Sequence, residues 1–499
     1  MFNEFSRAFG ALMAGVLMAA APGVHAISEL GQAVQDLGGS RLMVNAADAI
    51  YVTCTGLATT TQPLSPDQQI LGGRCADMTQ EGFFLAGNFG AVVPAADTFG
   101  LSSDPNSAST YLGLLRQFTG EEVSSQGRYA TEGATDQFKS LGGRLGAIRR
   151  GVRASGIAFN MQGVDVIAAR SDSAELPQGL VGGAAGSADA DTGLAWFANV
   201  EYGFGDRDST EFENGYDADS FGGVLGVDYG FNENWVAGVA FSYNRAEVDF
   251  DRASQGSLNA VSGGEMESDS TTLSAFANYV NGRFFGSVIV SFGETDYDMD
   301  RAAVIALDTS GGLSGGLSAE AAILESDTES NQFGAQVQLG YTFGEGAVTW
   351  DVYGGYDYLD VEVDGFAETG SPLGLVFDDQ DIDSSQAFFG GSVRRAVNMD
   401  FGVLVPYLSA EYRHEFDNDA REVSARYVLT VRGVNETFQG ETDDFQIPTD
   451  DPDDSFFDVT AGLAAQFGNN LMLFAQVSSI VGLEDTSANL ITIGLRGSF

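Results

Sequence analysis

The sequence predicts an all-β membrane protein, a 12-stranded antiparallel transmembrane β-barrel, preceded by a small, mainly α-helical N-terminal region. Three observations lead there. The final stretch, Asn489 to Phe499, sets Ile491, Ile493, Leu495 and Phe499 against Thr492, Gly494, Arg496 and Ser498, which is the period of a strand with one apolar face. Similar stretches recur back to about residue 193. The links between them alternate short and long, as in barrels whose short turns face the periplasm and whose long loops face outward.

Taken from the start, residues 1–26 read as a signal peptide. Arg7 gives a weakly basic beginning, Ala8 to Ala21 is apolar, and Val24 and Ala26 are small where a signal peptidase reads. No later run of 18 apolar residues remains, so no transmembrane helix is expected. Gly accounts for 65 of 499 residues, charged residues for 19%, and Phe and Tyr are abundant, which suits strands that are small inside and aromatic at the lipid interface. The formal net charge is −47, with Lys139 the single lysine, so nucleic acid is excluded as a partner by bulk electrostatics. The acidity fits solvated outer loops or a saline habitat; divalent-cation binding by the loops is the other reading.

Residues 27–186 form the predicted helical region. Ser28 to Leu37 and Leu42 to Leu57 read as helices, and Ser65-Pro66-Asp67 as a helix start. Cys54 and Cys75 are expected to pair in an oxidising periplasm and to staple two helices. Gly82 to Ser107 reads as a loop, and Ser107 to Gly151 as helical again, with Phe138, Leu141, Leu145 and Ile148 on one face. The small, polar stretch 182–191 suits a narrow pore.

Residues 187–499 form the predicted barrel. Strands are expected near 193–204, 217–230, 234–250, 268–281, 283–299, 328–343, 346–361, 383–397, 401–417, 453–468, 470–483 and 487–499. Short turns fall at Phe231–Asn234, Asn281-Gly282, Glu345-Gly346, Asn398–Asp400 and Gly468–Asn470. Long links fall at 205–216, 251–267, 300–327, 362–382 and 418–452, with 484–486 as the short exception. Alternation sends Phe333, Ala335, Val337, Leu339, Tyr341 and Phe343 to lipid, and Gly334, Gln336, Gln338, Gly340 and Thr342 to the lumen. Glu201, Asp351, Asp357, Arg394, Glu411, Arg413 and Arg496 share the lumen parity and are expected to form a polar network there.

Catalysis is not expected from this inventory. After loss of His25 with the signal peptide, His414 is the one histidine, and it sits on the outward parity of Leu408, Ala410 and Tyr412. Gly205-Asp206 is followed by Arg207 where a lipase-type motif needs a nucleophile. The acidic runs Asp296–Asp300 and Asp450–Asp454 lack the glycine spacing of a calcium loop and read as solvated loops. No metal, cofactor or catalytic residue is therefore expected.

Several segments resemble the autotransporter β-domain, the monomeric translocator barrel of type V secretion. Pro406-Tyr407 followed by Tyr412-Arg-His-Glu-Phe416 is similar to its late strands. Ile491, Ile493, Leu495 and Phe499 are similar to the signal such barrels offer to the barrel-assembly machinery. Leu115 to Val123 with Phe138 to Leu145 resembles the helical region that precedes the barrel in short members. The resemblance implies an outer-membrane, monomeric barrel that translocates or anchors the N-terminal region, with lipid, the assembly machinery and periplasmic chaperones as partners. The alternative is a structural or adhesive barrel with acidic surface loops and a periplasmic helical domain. Residues 27–186 lack the repeats of a β-helical passenger. No asparagine lies between Asn160 and Asn199, so self-cleavage of the kind some family members perform is not expected.

Overall fold

The computed structural model describes residues 27–87, 95–124, 194–232, 234–251, 263–305, 320–344, 347–400, 402–417, 419–429, 444–451, 453–467 and 471–497. The predicted signal peptide, the helix carrying Phe138 to Ile148, the stretch 182–191, the turns at 345–346 and 468–470, and Phe499 lie outside the described residues.

Seventeen strands follow one another: β1 Leu194–Arg207, β2 Tyr216–Gly230, β3 Trp235–Phe250, β4 Gly264–Asn281, β5 Phe284–Ile305, β6 Glu320–Phe343, β7 Val348–Val363, β8 Phe366–Ala367, β9 Leu375–Phe377, β10 Gln380–Arg395, β11 Val397–Met399, β12 Gly402–Glu415, β13 Glu422–Tyr427, β14 Phe445–Pro448, β15 Ser455–Phe467, β16 Leu471–Val481 and β17 Thr486–Gly497. Twelve of them, β1–β7, β10, β12 and β15–β17, pair antiparallel in sequence order. The ladder closes where Tyr202 faces Ile491 and Arg207 faces Thr486. The observed strands match the twelve expected ones in order, and pairing of the first with the last closes the ring.

The two faces differ as the alternation requires. Val337 and Leu339 are exposed on the outside of β6, whereas Gln336 is buried inside. Two aromatic girdles bound the outer apolar band. Trp235 packs on Tyr279 at 4.9 Å and Phe343 stacks on Trp350 at 4.4 Å near the short turns. Phe292 meets Phe333 at 5.2 Å and Tyr412 meets Phe457 at 5.3 Å toward the long loops. At that upper level Tyr202 donates to Asp219 at 2.7 Å and Tyr358 to Asp383 at 3.0 Å, so each ring lies in lipid and each hydroxyl reaches an acid above it.

Three strands run furthest beyond their expected ends. β4 begins at Gly264 rather than 268, β5 continues to Ile305 rather than 299, and β6 begins at Glu320 rather than 328. Asp296–Asp300 is consequently part of β5 and not a loop. Its acids point outward, while Tyr297 and Met299 are buried on the inner side, where there is apolar cover.

The cover is helical. Four α-helices form among the described residues: α1 Glu29–Asp36, α2 Arg41–Thr59, α3 Pro66–Ala86 and α4 Ser107–Arg116. Ser28, Ser40 and Ser65 cap the first three through hydroxyls that accept from Gly31, Met43 and Gln68 amides. Ser65 and Gln68 complete a capping box with Pro66 at the first turn. α3 extends to Ala86, so the expected loop at Gly82 starts later, behind Gly87 at φ 68°. A Cys54–Cys75 disulfide joins α2 to α3. Leu30, Leu42, Phe83, Tyr111 and Leu114 make the centre of this small core.

The long links also hold structure. β14, β13, β9 and β8 form a four-stranded sheet within the stretches 362–382 and 418–452, which the sequence reading gave as links. Leu375, Phe377, Val423, Ala425, Tyr427 and Ile447 turn inward and join Tyr216, Phe250 and Tyr297 in one buried cluster with the helices. The described helices thus sit as a cap on the long-loop mouth of the barrel.

Candidate functional site: the lumen and its capped mouth

The lumen places charges from several strands together. Arg413 on β12 donates to Asp357 on β7 at 2.8 Å and meets Glu411 at 2.6 Å. Its guanidinium also donates to Gln386 at 3.0 Å and lies over the Phe388 ring at 5.0 Å. Lower on the same wall, Arg394 donates to Thr349 at 2.7 Å and stands 3.5 Å from Asp351. Glu201 is half-buried on β1 across from Gly222. Arg496 pairs through its backbone with Met472 on β16, and its side chain lies outside the described ones. Of the residues expected in the network, then, Arg413, Asp357 and Glu411 form one group and Arg394 and Asp351 a second.

Around them the lining is hydroxyl and amide. Tyr407 donates to Gln476 at 2.6 Å, Gln476 to Thr492 at 3.3 Å, and Thr460 and Ser478 share a 2.8 Å contact. Glu415, at the top of β12, accepts from the Ser384 hydroxyl at 2.6 Å and the Ser385 amide at 2.8 Å. A cavity of about 120 Å³ lies high in the barrel, with Asp206, Asn244, Ser270 and Gln332 in its wall. Such a surface wets a passage and binds a polar chain without an apolar grip.

The mouth is where cap and barrel meet. Arg301 at the upper end of β5 makes a two-pronged pair with Glu368, at 2.7 and 2.6 Å, and donates to the Gln117 carbonyl at 3.0 Å. Tyr427 on β13 donates to the Phe118 carbonyl at 3.2 Å. Asn214, in the β1–β2 link, takes a contact from Arg116 at 3.3 Å and donates to Glu122 at 3.3 Å. Asn45 on α2 donates to the Gln446 carbonyl at 2.7 Å, and Arg41 pairs with Glu422. Gly120 has φ +65°, and a Cβ there would lie 2.7 Å from Leu375. The sequence marked Leu115 to Val123 only as part of a helical stretch, and it did not single out Arg301, Glu368, Tyr427 or Asn214. Arg301 and Glu368 are 67 residues apart, and nothing local marks them as partners.

The remaining expected positions are dispersed. His414 faces outward beside Phe416, and its Nδ1 is 3.0 Å from the Ser455 hydroxyl. Ile491 is exposed on the outer face of β17; the side chains of Ile493, Leu495 and Phe499 lie outside the described ones. The carboxylates of Glu294, Asp296 and Glu329 gather, fully exposed, on the outer face of β5 and β6.

A closed single-chain barrel with an apolar outside and a polar inside defines an outer-membrane β-barrel protein. The autotransporter β-domain family model matches residues 196–478, and the chain belongs to that family. It is accordingly a monomeric barrel of the Gram-negative outer membrane. Among solved structures it is similar to the translocator domain of the autotransporter NalP from Neisseria meningitidis, with TM-score 0.43 and 17% identity over 62% of this chain and 89% of that one. It is also similar to the β-domain of the Bordetella autotransporter BrkA, with TM-score 0.38 and 16% identity over 62% and 100%. Among curated proteins it is 25% identical over 291 residues to "Esterase EstA" of Pseudomonas aeruginosa and of Pseudomonas putida, covering 57% of this chain. The chain spans 40% of the length of those relatives.

These relatives correct one expectation. The histidine inventory had excluded an enzyme, yet the curated proteins matched are named esterases. The count covered histidine-dependent chemistry in this chain alone, and this chain spans 40% of those relatives' length. The exclusion of catalysis does not stand.

Proposed function

We propose that the barrel passes its own N-terminal region outward and keeps it docked as a cap on the outer mouth. One observation carries this reading. The cap, described as far as Ser124, packs on the long-loop end, while β1 starts with Leu194 at the short-turn end, opposite Tyr229. The two described ends, Ser124 and Leu194, thus lie at opposite ends of the barrel. Lipid leaves backbone groups without partners, so the polar lumen is the passage that an exported chain would use. The paired charges on its wall, Arg413 with Asp357 and Glu411, give that route a wet lining. The position of the cap speaks against a helical domain held in the periplasm.

Assembly in this reading runs through the barrel-assembly machinery, with periplasmic chaperones holding the unfolded chain. The alternating face of Ile491, Ile493, Leu495 and Phe499 serves as the assembly signal. Phe499→Ala is expected to lower the heat-modifiable, folded fraction in membranes several-fold; an unchanged fraction rules that role out. The export reading is tested with protease added to intact cells. Cleavage within residues 27–124 before the outer membrane is permeabilised supports it, and protection until permeabilisation refutes it.

Ester hydrolysis is a second reading, favoured by the names of the two curated relatives. Ser455 and His414 are the hydroxyl–imidazole pair available among the described residues, and no carboxylate there hydrogen-bonds the imidazole. Turnover of a short-chain p-nitrophenyl ester by the purified full chain, abolished by His414→Ala, is the result this reading requires.

A further inference from the structure

The short segment from Arg116 to Ser124 fastens the cap, and its charges do not balance. Glu121 accepts from Arg116 at 2.7 Å, and Glu122 accepts from Asn214 at 3.3 Å. Arg301 is taken by Glu368 from the loop sheet. Among the described residues, two guanidinium groups, Arg116 and Arg301, thus face three buried carboxylates, Glu121, Glu122 and Glu368. The adjacent Arg207 has no charge to spare, since it meets both Glu213 at 3.1 Å and Asp450 at 2.7 Å. Tyr427, also titratable and at this joint, donates a hydrogen bond to the Phe118 carbonyl. Glu121 Oε2 is buried and accepts no hydrogen bond from the described residues. A surplus buried carboxylate is relieved most simply by a proton.

We infer that Glu121 is a proton-operated latch: with its carboxyl protonated the cap is held on the barrel mouth, and ionisation loosens it. Burial pushes the Glu121 carboxyl up to about 7; Arg116 opposes this and Glu122 adds to it. Glu122 is raised too, by burial first, with Arg301 opposing. The docked state therefore binds a proton that the undocked state, with an ordinary carboxyl, has already released. Docking is strongest in acid, weakens as pH climbs from the ordinary carboxylate range toward 7, and is level above that. The inference rests on the docked contacts themselves and stands apart from the route by which the cap reaches that mouth.

Hydrogen–deuterium exchange on the full chain in detergent micelles reads the latch. Protection of the Gln117–Ser124 and Glu422–Tyr427 amides, corrected for intrinsic exchange, is expected to fall about tenfold between about pH 6 and about pH 8. Glu121→Gln is expected to hold the acidic level of protection throughout. Protection independent of pH in the wild type, or the same fall in Glu121→Gln, overturns the latch. Should that variant fail to fold, the infrared band of a protonated carboxyl in the wild type decides. A band lost near neutral pH supports the latch, and no such band overturns it.

Discussion

Arg413 illustrates why the lumen tolerates charge. Its guanidinium reaches Asp357 and Glu411, so removing it takes one shared cation from two largely buried carboxylates. Arg413→Ala is expected to destabilise the barrel by roughly 3 kcal/mol, the low end for a broken buried pair because the lumen admits water. The urea midpoint of the heat-modifiable band in micelles measures this; a midpoint within error of the wild type contradicts it. Gly120 is the matching test at the mouth. Gly120→Ala forces a left-handed backbone on an L side chain, at about 1–2 kcal/mol, and drives a methyl against Leu375. Faster proteolysis of the cap with an unchanged barrel is the expected outcome.

At the level of elements, the barrel strands were legible because each must present lipid on one side and water on the other. Val337 and Leu339 against Gln336 is a pattern no loop would keep. The extensions of β5 past 299 and of β6 before 328 were not legible, since Asp300, Glu325 and Asp327 are poor strand residues on an outer face that is already above lipid. Only the cap explains why Tyr297 and Met299 are buried between Asp296, Asp298 and Asp300. β13 does alternate, with Val423, Ala425 and Tyr427 inward, yet six residues paired to distant β9 and β14 give too short a signal. The start of α3 was readable from Ser65-Pro66-Asp67 because capping is local chemistry. The disulfide binds α2 to α3, and replacing Cys54 and Cys75 with serine is expected to cost the cap roughly 3 kcal/mol on the chain-entropy account. Circular dichroism of the helical signal on heating should show the cap melting earlier while the β signal persists.

For the whole molecule, the candidate site is a relation between distant parts, and this is why the sequence could not mark it. Arg301 finds Glu368 and Gln117 only after the barrel has closed and the cap has settled. The same assembly divides the protein into an outer-membrane ring and a cap on its mouth, with the first strand beginning at the far end. The direct measurement is an epitope tag inserted after the exposed Gln62, in the link between α2 and α3, probed with antibody on intact cells. The account predicts full staining before permeabilisation. Staining that appears only after the outer membrane is opened would place the cap on the other side and contradict it.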